Sequence, residues 1–572
     1  MPITNNEEQL YPHIIERVED WPIYRLSKDR AEFIREIDAF TFNRIVSRHR
    51  KDLPDVLVKT IYNERIRIKE DPWKVDPPNE RTFWNRISSK LIKKSLDKHD
   101  HEAREVAEDI LHKIIHRYSE EIVGTFQINT FRFAQRFLTV LFNRLLNAAV
   151  DKSLRSLWRG RRQVHERLNV TGDIEKVREL FKHGTVVVVP THFSNLDSIL
   201  VGYAMDQIMG LPSFCYGAGL NLYNFGPAAY FMNRLGAYRV DRRKKNAVYL
   251  ETLKTNSNLS IQRGVNSLFF PGGTRSRSGE LETDLKMGLL GTVVEAQRAL
   301  CQKEGNQKVF IVPMVIGYHF VLEAPFLIEQ HLRSTGKEHY IRLKDEGLSV
   351  RSWLRFIWRF FSTTSDITLS VGKPMDVLGN FVDMEGRSYD RFGKEIDVKE
   401  YFVNKNKVTE DRQREEEYTK LLAERIVERY HIENVVLSSH LIAFAVFQML
   451  VHENPKLDLF GILRLPDDDY IFPIKAVEEV VEQLLAKLQT METAGKIKLA
   501  PVLRQPVDAV IKDGVKKLGV YHNEKPLMFN KEGNIMSSNF RVLYYYHNRL
   551  NSYHLEKYVK WKSGEIEVLK ID

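Results

Sequence analysis

Four short, nearly unbroken apolar runs separated by helical segments most constrain what this chain can fold into. They are residues 185–190 (TVVVVP), 267–273 (SLFFPGG), 309–318 (VFIVPMVIGY) and 366–374 (DITLSVGKP). A strand that alternates polar and apolar residues can leave one face in water, whereas these have no face to leave. A sheet built from them must be covered on both sides. Strands spaced by helices then place the middle of the chain in the α/β class, as a mixed, mostly parallel sheet flanked by helices.

On either side the pattern is helical. Residues 81–100 (RTFWNRISSKLIKKSLDKHD) and 129–158 place apolar side chains at three- and four-residue intervals between charges, as do 414–431 and 475–495. The predicted plan is a helical N-terminal domain (1–168), an α/β domain (169–380), a polar linker or long loop (381–408) and a mainly helical C-terminal domain (409–572). With 572 residues and 43% hydrophobic content, large cores are within reach. No apolar run approaches the ~18 residues of a spanning helix. The longest, LIAFAVFQMLV at 441–451, reads as a buried helix. Two cysteines exclude a disulfide framework and indicate a reducing, intracellular setting. The opening MPITNNEEQLYPH lacks the basic-then-apolar pattern of a signal peptide. The net charge of +10 favours an anionic partner.

Three segments of the α/β region carry chemistry. In PTHFSNLDSIL a strand ends at Pro190, delivers His192, and meets Asp197 five residues later. On a regular helix five positions lie about 140° apart and could not share a face; across a loop entering a helix they can meet. A carboxylate bonded to one imidazole nitrogen fixes the tautomer and leaves the other as a general base. With 18 histidines, roughly one His-x4-Asp is expected by chance, so an Asp197 that only caps a helix over a packed His192 is an equal reading. In LFFPGGTRSRSGELETDLKMG, Gly272 and Gly273 let backbone approach a ligand, while Arg275 and Arg277, with Lys286, offer donors suited to phosphate. The alternative is a glycine turn with solvated arginines. The cations Arg239, Arg242, Arg243, Lys244 and Lys245 suit an anion or, more commonly, water. Pro313 and Tyr318, along the third run, say nothing alone.

Taken in order, these segments read His-x4-Asp, Gly-Ala-x4-Arg, Phe-Pro-Gly-Gly-Thr-Arg-Ser-Arg and Val-Pro-Met-x4-Tyr. The series resembles the four blocks of the glycerolipid acyltransferases, and within them the glycerol-3-phosphate acyltransferases of bacterial and mitochondrial type. The RSRSG stretch with Lys286 and Gly288, the run from Tyr318 to Glu323, and YYYHNRLNSYHLE at 544–556 are similar to that branch. Two positions depart from it: Gly272 stands where a glutamate is usual, and Asp241 precedes Arg242 where a paired arginine is common.

The resemblance implies His192 as base and Asp197 as its orienting partner. It assigns substrate binding to Arg242, Gly272, Gly273, Thr274, Arg275, Ser276, Arg277, Lys286 and Pro313. The reaction it implies is transfer of a fatty acyl group from acyl-CoA or acyl carrier protein to the sn-1 hydroxyl of glycerol 3-phosphate, with no cofactor and no metal. The implied site of work is an anionic membrane surface, peripherally, on the cytoplasmic face of the cell membrane. Residues 351–361 (RSWLRFIWRFF) and 131–146 are candidates for the contact. A lysophosphatidic acid or other lysolipid acceptor is the nearest alternative, and a non-catalytic lipid- or thioester-binding protein is another. Nucleic-acid binding, suggested by charge alone, is not expected because no recognition module is present.

Overall fold

The computed structural model describes residues 11–95, 100–147, 168–220, 223, 226–303, 307–335, 367–466, 470–520, 522 and 524–561. The N-terminal part is helical: α1 Pro22–Lys28, α2 Arg30–Arg48, α3 Leu53–Glu70, α4 Glu80–Ser95, α5 Asp100–Ile122 and α6 Ile128–Asn147. Helix α2 buries Phe33, Ile34, Ile37, Thr41 and Ile45, the stripe a 3.6-residue period dictates. On α3 the buried stripe begins with Leu53, Leu57 and Ile61 and then continues through two charged residues, Glu64 and Arg67.

The α/β region holds a seven-stranded sheet: β1 Leu168–Gly172, β2 Gly184–Pro190, β3 Cys215–Gly219, β4 Ala237–Val240, β5 Ser267–Leu268, β6 Lys308–Tyr318 and β7 Ile367–Val371. Its spatial order is β1-β7-β6-β2-β5-β3-β4, and only the β6–β7 pair is antiparallel. Strands β2 and β6 lie at the centre in register, Val187 opposite Ile311, and six of the seven β2 residues are buried. The four apolar runs supply β2, β5, β6 and β7. The other three strands, LNVTG, CYGAG and AYRV, are short and partly exposed, the first two containing glycine, so they lack an apolar run to announce them.

The stretch expected as a linker is built from small turns. Strands at Phe381–Val382, Ser388–Tyr389 and Glu395–Ile396 form an antiparallel ribbon, and Val403–Asn404 pairs with Lys407–Val408. Each of its first two turns is closed by an aspartate three residues before a glycine at positive φ. Asp383 accepts the Arg387 N–H at 2.8 Å before Gly386, and Asp390 accepts the Lys394 N–H at 2.9 Å before Gly393.

Helices from Arg412–Glu433 onward complete the chain. Ser438–Glu453, which contains the 441–451 run, is buried nearly all round. One continuous hydrophobic core runs from Leu168 to Val559, so the C-terminal helices and most of the sheet share an interior. A second core joins α1 and α3–α5 to Tyr238 of β4 and to Val248, Tyr249 and Leu253 of the helix Ala247–Gln262. Among the described residues no helix is long and apolar enough to cross a membrane.

Candidate active site

After Pro190 the chain leaves the sheet beside β6, with the Thr191 N–H donating to the Met314 carbonyl at 3.0 Å, and turns into the helix Asp197–Tyr203. The turn wraps the Asp197 carboxylate, which is fully buried. Its Oδ2 accepts from the N–H groups of Phe193 (2.6 Å) and Ser194 (2.9 Å) and lies 2.8 Å from His192 Nδ1. Its Oδ1 accepts from the Tyr318 hydroxyl at 2.5 Å. These donors precede the helix or come from β6, so Asp197 acts as the hub of the turn rather than as a helix cap. An ionised carboxylate only accepts, so Nδ1 carries the proton and Nε2 presents its lone pair. The ring stacks on Phe270, 4.1 Å between centroids, and keeps 15% of its side chain open to solvent.

The glycine loop after β5 closes over this turn. The Ser276 N–H donates to the His192 carbonyl at 2.7 Å, and the Lys286 N–H to the Pro271 carbonyl at 2.7 Å. Gly273 has φ +77°, where a side chain would be strained, and a Cβ there would lie 3.1 Å from Lys286 Cγ. At Gly272 a Cβ would come 2.7 Å from Glu282 Oε1. A carboxylate therefore does occupy the space beside position 272, delivered from ten residues further on. Glu282 Oε1 accepts the His192 N–H at 3.0 Å. The residue as a whole is half-buried while its carboxylate lies inside. Burial pushes that carboxyl up to about 8 against the opposing pull of the His192 N–H.

Three arginines converge next to this pair. Arg275 donates to Glu323 Oε1 at 3.2 Å, and Glu323 also accepts from the Ser194 hydroxyl (3.1 Å) and the Asn195 N–H (3.0 Å), tying the two loops together. Arg277 is exposed, and neither Arg277 nor Arg242 has a carboxylate partner among the described residues. Arg242 is open to solvent yet set among enough protein that desolvation lowers its pKa, with Arg275 and Arg277 lowering it further. A cationic side chain standing in an open cleft fits both facts, and with only Arg275 paired to a carboxylate the three arginines leave net positive charge there. Thr274 and Lys286 are exposed at the loop's rim, whereas Pro313 is buried inside β6 opposite Val189, away from solvent. Three of the remaining cations of the 239–245 segment are engaged elsewhere, Arg239 with Asn233, Arg243 with Asp76 and Asp241, and Lys244 with Glu121, while Lys245 is exposed.

The C-terminal region reaches the same place. Arg549, 4% exposed, donates through Nε to Asn434 Oδ1 (2.9 Å) and through Nη2 to the Ile316 carbonyl (2.8 Å). Its guanidinium lies 4.2 Å from the Phe193 ring centroid. Asn548 donates to the Ser278 carbonyl at 2.9 Å. Sequence reasoning missed Glu282, Arg549 and the bond from Tyr318 to Asp197. Their partners lie far off in the chain or, for Glu282, in an ordinary acidic stretch.

Comparison with known proteins bears on this geometry. Residues 167–317, which span β1 to the end of β6 and all three segments of the cleft, match the acyltransferase family model. Over these residues the chain is similar to that family. A curated relative, the glycerol-3-phosphate acyltransferase of Aeromonas hydrophila subsp. hydrophila, is 30% identical over 282 residues, 49% of this chain and 31% of that protein. The match thus spans about a third of the length of that relative. The matched region contains His192, Asp197, Arg242, Arg275 and Arg277, while Tyr318 and Glu323 lie just beyond it and Arg549 comes from the C-terminal region.

Proposed function

We propose that this protein transfers a fatty acyl group from a thioester, acyl-CoA or acyl-acyl carrier protein, to the sn-1 hydroxyl of glycerol 3-phosphate. The observation that carries the reading is the His192–Asp197 pair, with Nε2 presented, beside three arginines of which two are unpaired. A base poised next to an anion site suits an acceptor that has a hydroxyl at one end and a phosphate at the other. His192 Nε2 takes the hydroxyl proton as the oxygen attacks the thioester carbonyl carbon. When the tetrahedral intermediate collapses, the carbon–sulfur bond breaks and the imidazolium returns the proton to the thiolate. No acyl-enzyme is needed. A positioned base is worth roughly 10²–10⁴ in rate. The name of the Aeromonas relative supports glycerol 3-phosphate as acceptor.

Purified protein offered palmitoyl-CoA or palmitoyl-acyl carrier protein with radiolabelled glycerol 3-phosphate is expected to place label in lysophosphatidic acid. His192→Ala should lower turnover by 10² or more. Transfer to lysophosphatidic acid alone would move the acceptor assignment to that branch. Near-normal turnover by His192→Ala would remove the base from the mechanism.

Product and donor are amphiphiles, so peripheral attachment to the cytoplasmic face of the cell membrane belongs to the same proposal. Residues 351–361 lie outside the described residues. Helix α6 supports its candidacy: Phe133 and Phe137 are 58% and 48% exposed and stacked 6.3 Å apart, with Arg132 and Arg136 beside them in sequence. Stacked phenyl rings flanked by cations suit an anionic lipid interface. Phe133→Ser/Phe137→Ser should lose sedimentation with anionic vesicles while keeping the wild-type melting temperature.

A further inference from the structure

The N-terminal helices are joined to the acyltransferase domain by an unusual buried ionic network, and its far end is the turn that carries Arg242. Glu64 and Arg67, the two charged residues on the buried stripe of α3, are 1% and 5% exposed. Arg67 pairs with Glu64 (2.8 Å), with Asp76 (3.3 Å) and with Glu80. Asp76 and Glu80, in and after the loop that follows α3, then reach the segment 241–246. Arg243 pairs with both Asp76 and Asp241, donates to the Asp71 carbonyl at 2.7 Å and lies 4.1 Å over the Trp73 ring. Lys244, 3% exposed, meets Glu121 of α5 and stands 3.8 Å from Glu80. Asn246 donates to Glu64 and to the Tyr118 hydroxyl, both at 3.0 Å, and accepts the Tyr249 N–H that begins the next helix.

Every polar residue of this turn from Asp241 to Asn246 is thus bound to the N-terminal helices or to its own backbone, apart from Arg242 and the exposed Lys245. Arg242 sits between two anchored neighbours, Asp241 and Arg243, and is near enough to Arg275 and Arg277 for their charges to act on it. Left free, a cation would turn away from two others, so something must hold it there. Stability alone is a poor reason for such a network, because buried ion pairs rarely outperform apolar packing of the same volume. Fixing a register is what they do well.

We infer that the N-terminal helices are a positioning device for acceptor binding: through Asp76, Glu80 and Glu121 they hold the 241–246 turn so that Arg242 completes a phosphate site with Arg275 and Arg277. This rests on the reading of that site as the phosphate site. Asp76, Arg243 and Lys244 are then positioning residues, and Arg242 is the group that touches substrate.

The experiment is calorimetric titration of the full chain with glycerol 3-phosphate, alongside separate KM measurements for glycerol 3-phosphate and palmitoyl-CoA. Arg242→Gln serves as the control for the site itself, and Asp76→Asn and Arg243→Lys test the device. Arg243→Lys keeps a charge for Asp76 but loses the fork, so it guards against simple misfolding, and Asp76→Glu tests rescue. Asp76→Asn and Arg243→Lys are expected to weaken glycerol 3-phosphate about tenfold, which is about 1.4 kcal/mol. KM for palmitoyl-CoA should stay unchanged, with partial recovery in Asp76→Glu. Wild-type affinity in both variants, with loss in Arg242→Gln, would overturn the inference and leave the phosphate site standing. Full affinity in Arg242→Gln would overturn the phosphate site and the inference with it. Equal weakening of acceptor and donor would also overturn it, since the network would then only hold the fold.

Discussion

At the scale of single residues, the site is decided by which carboxylates are ionised. Asp197 is buried but surrounded by four donors, so its charge is matched on the spot. Glu282 is different: Oε1 has one N–H donor, Oε2 is buried with none, and its pKa rises to about 8. The sign of its contribution follows from linkage. Below the ordinary value near 4.5 both folded and unfolded chains hold the proton and nothing is lost. As pH climbs from 4.5 to 8 the unfolded chain releases it while the folded chain keeps it, so stability falls; above 8 the difference is constant. Glu282→Gln keeps an acceptor for the His192 N–H and removes the ionisation. Its unfolding free energy relative to wild type should therefore rise between pH 5 and 8, by an amount on the order of a few kcal/mol at the top of the window. A gap that does not change with pH would place the proton elsewhere.

Among elements, the notable partnership is between the His192–Asp197 turn and a short helical segment about 350 residues further on. The 3-10 turn Asn548–Tyr553 follows the helix Phe540–His547 and inserts Arg549 behind Phe193. Burial lowers this guanidinium to about 10, with Tyr553, Tyr545, Glu282 and Asp197 pulling the other way, so it remains a cation. Gly279 packs so tightly here that a Cβ would stand 2.1 Å from the Tyr545 carbonyl. Arg549→Met would leave the Ile316 carbonyl and Asn434 without a donor and strip a buried cation from two carboxylates. The expected cost is about 3–5 kcal/mol in urea unfolding. Activity in the surviving folded fraction should fall as well, because Phe193 borders His192. A variant as stable as wild type would show that the tail only lies alongside the domain.

For the whole molecule, the shared core makes a prediction about acid. Four histidines are buried neutral where the sheet meets the C-terminal helices: His319 is lowered to about 3, His522 and His547 to about 4, and His440 well below the ordinary value, all chiefly by desolvation. Their nitrogens serve neutral partners, as in His319 with Ser439 (2.9 Å) and His440 with the Tyr318 carbonyl (3.0 Å). Their folded pKa values are depressed, so the stability they contribute is present above pH 6.5 and is lost as pH falls toward 4. Each histidine sets a slope of up to about 1.4 kcal/mol per pH unit. Acid titration followed by far- and near-ultraviolet circular dichroism should show one transition beginning below pH 6, with sheet and C-terminal helices lost together because one core serves both. Two separated transitions would mean that the core is divided.

How much of this was legible beforehand depended on distance along the chain. The residue types of the apolar runs fixed β2, β5, β6 and β7, since a strand buried on both faces carries its own signature. Local spacing likewise marked His192, Asp197 and the arginine loop, whose chemistry is contained within a few residues. Strands β1, β3 and β4 were silent because short length, partial exposure and, in the first two, glycine erase the apolar run, and the expected linker resolved into turns closed by aspartates. Charged residues proved the hardest to read. The sequence shows five cations from Arg239 to Lys245 but not that Asp76, Glu80 and Glu121 claim two of them and leave Arg242 for the cleft. Nor does it show that Glu282 fills the space Gly272 leaves, or that Arg549 lies behind Phe193. Apolar patterning is local because the solvent reads each residue by itself. The partner of a buried charge is chosen only when the chain has folded, and in this protein that choice sets which cations are left unpaired.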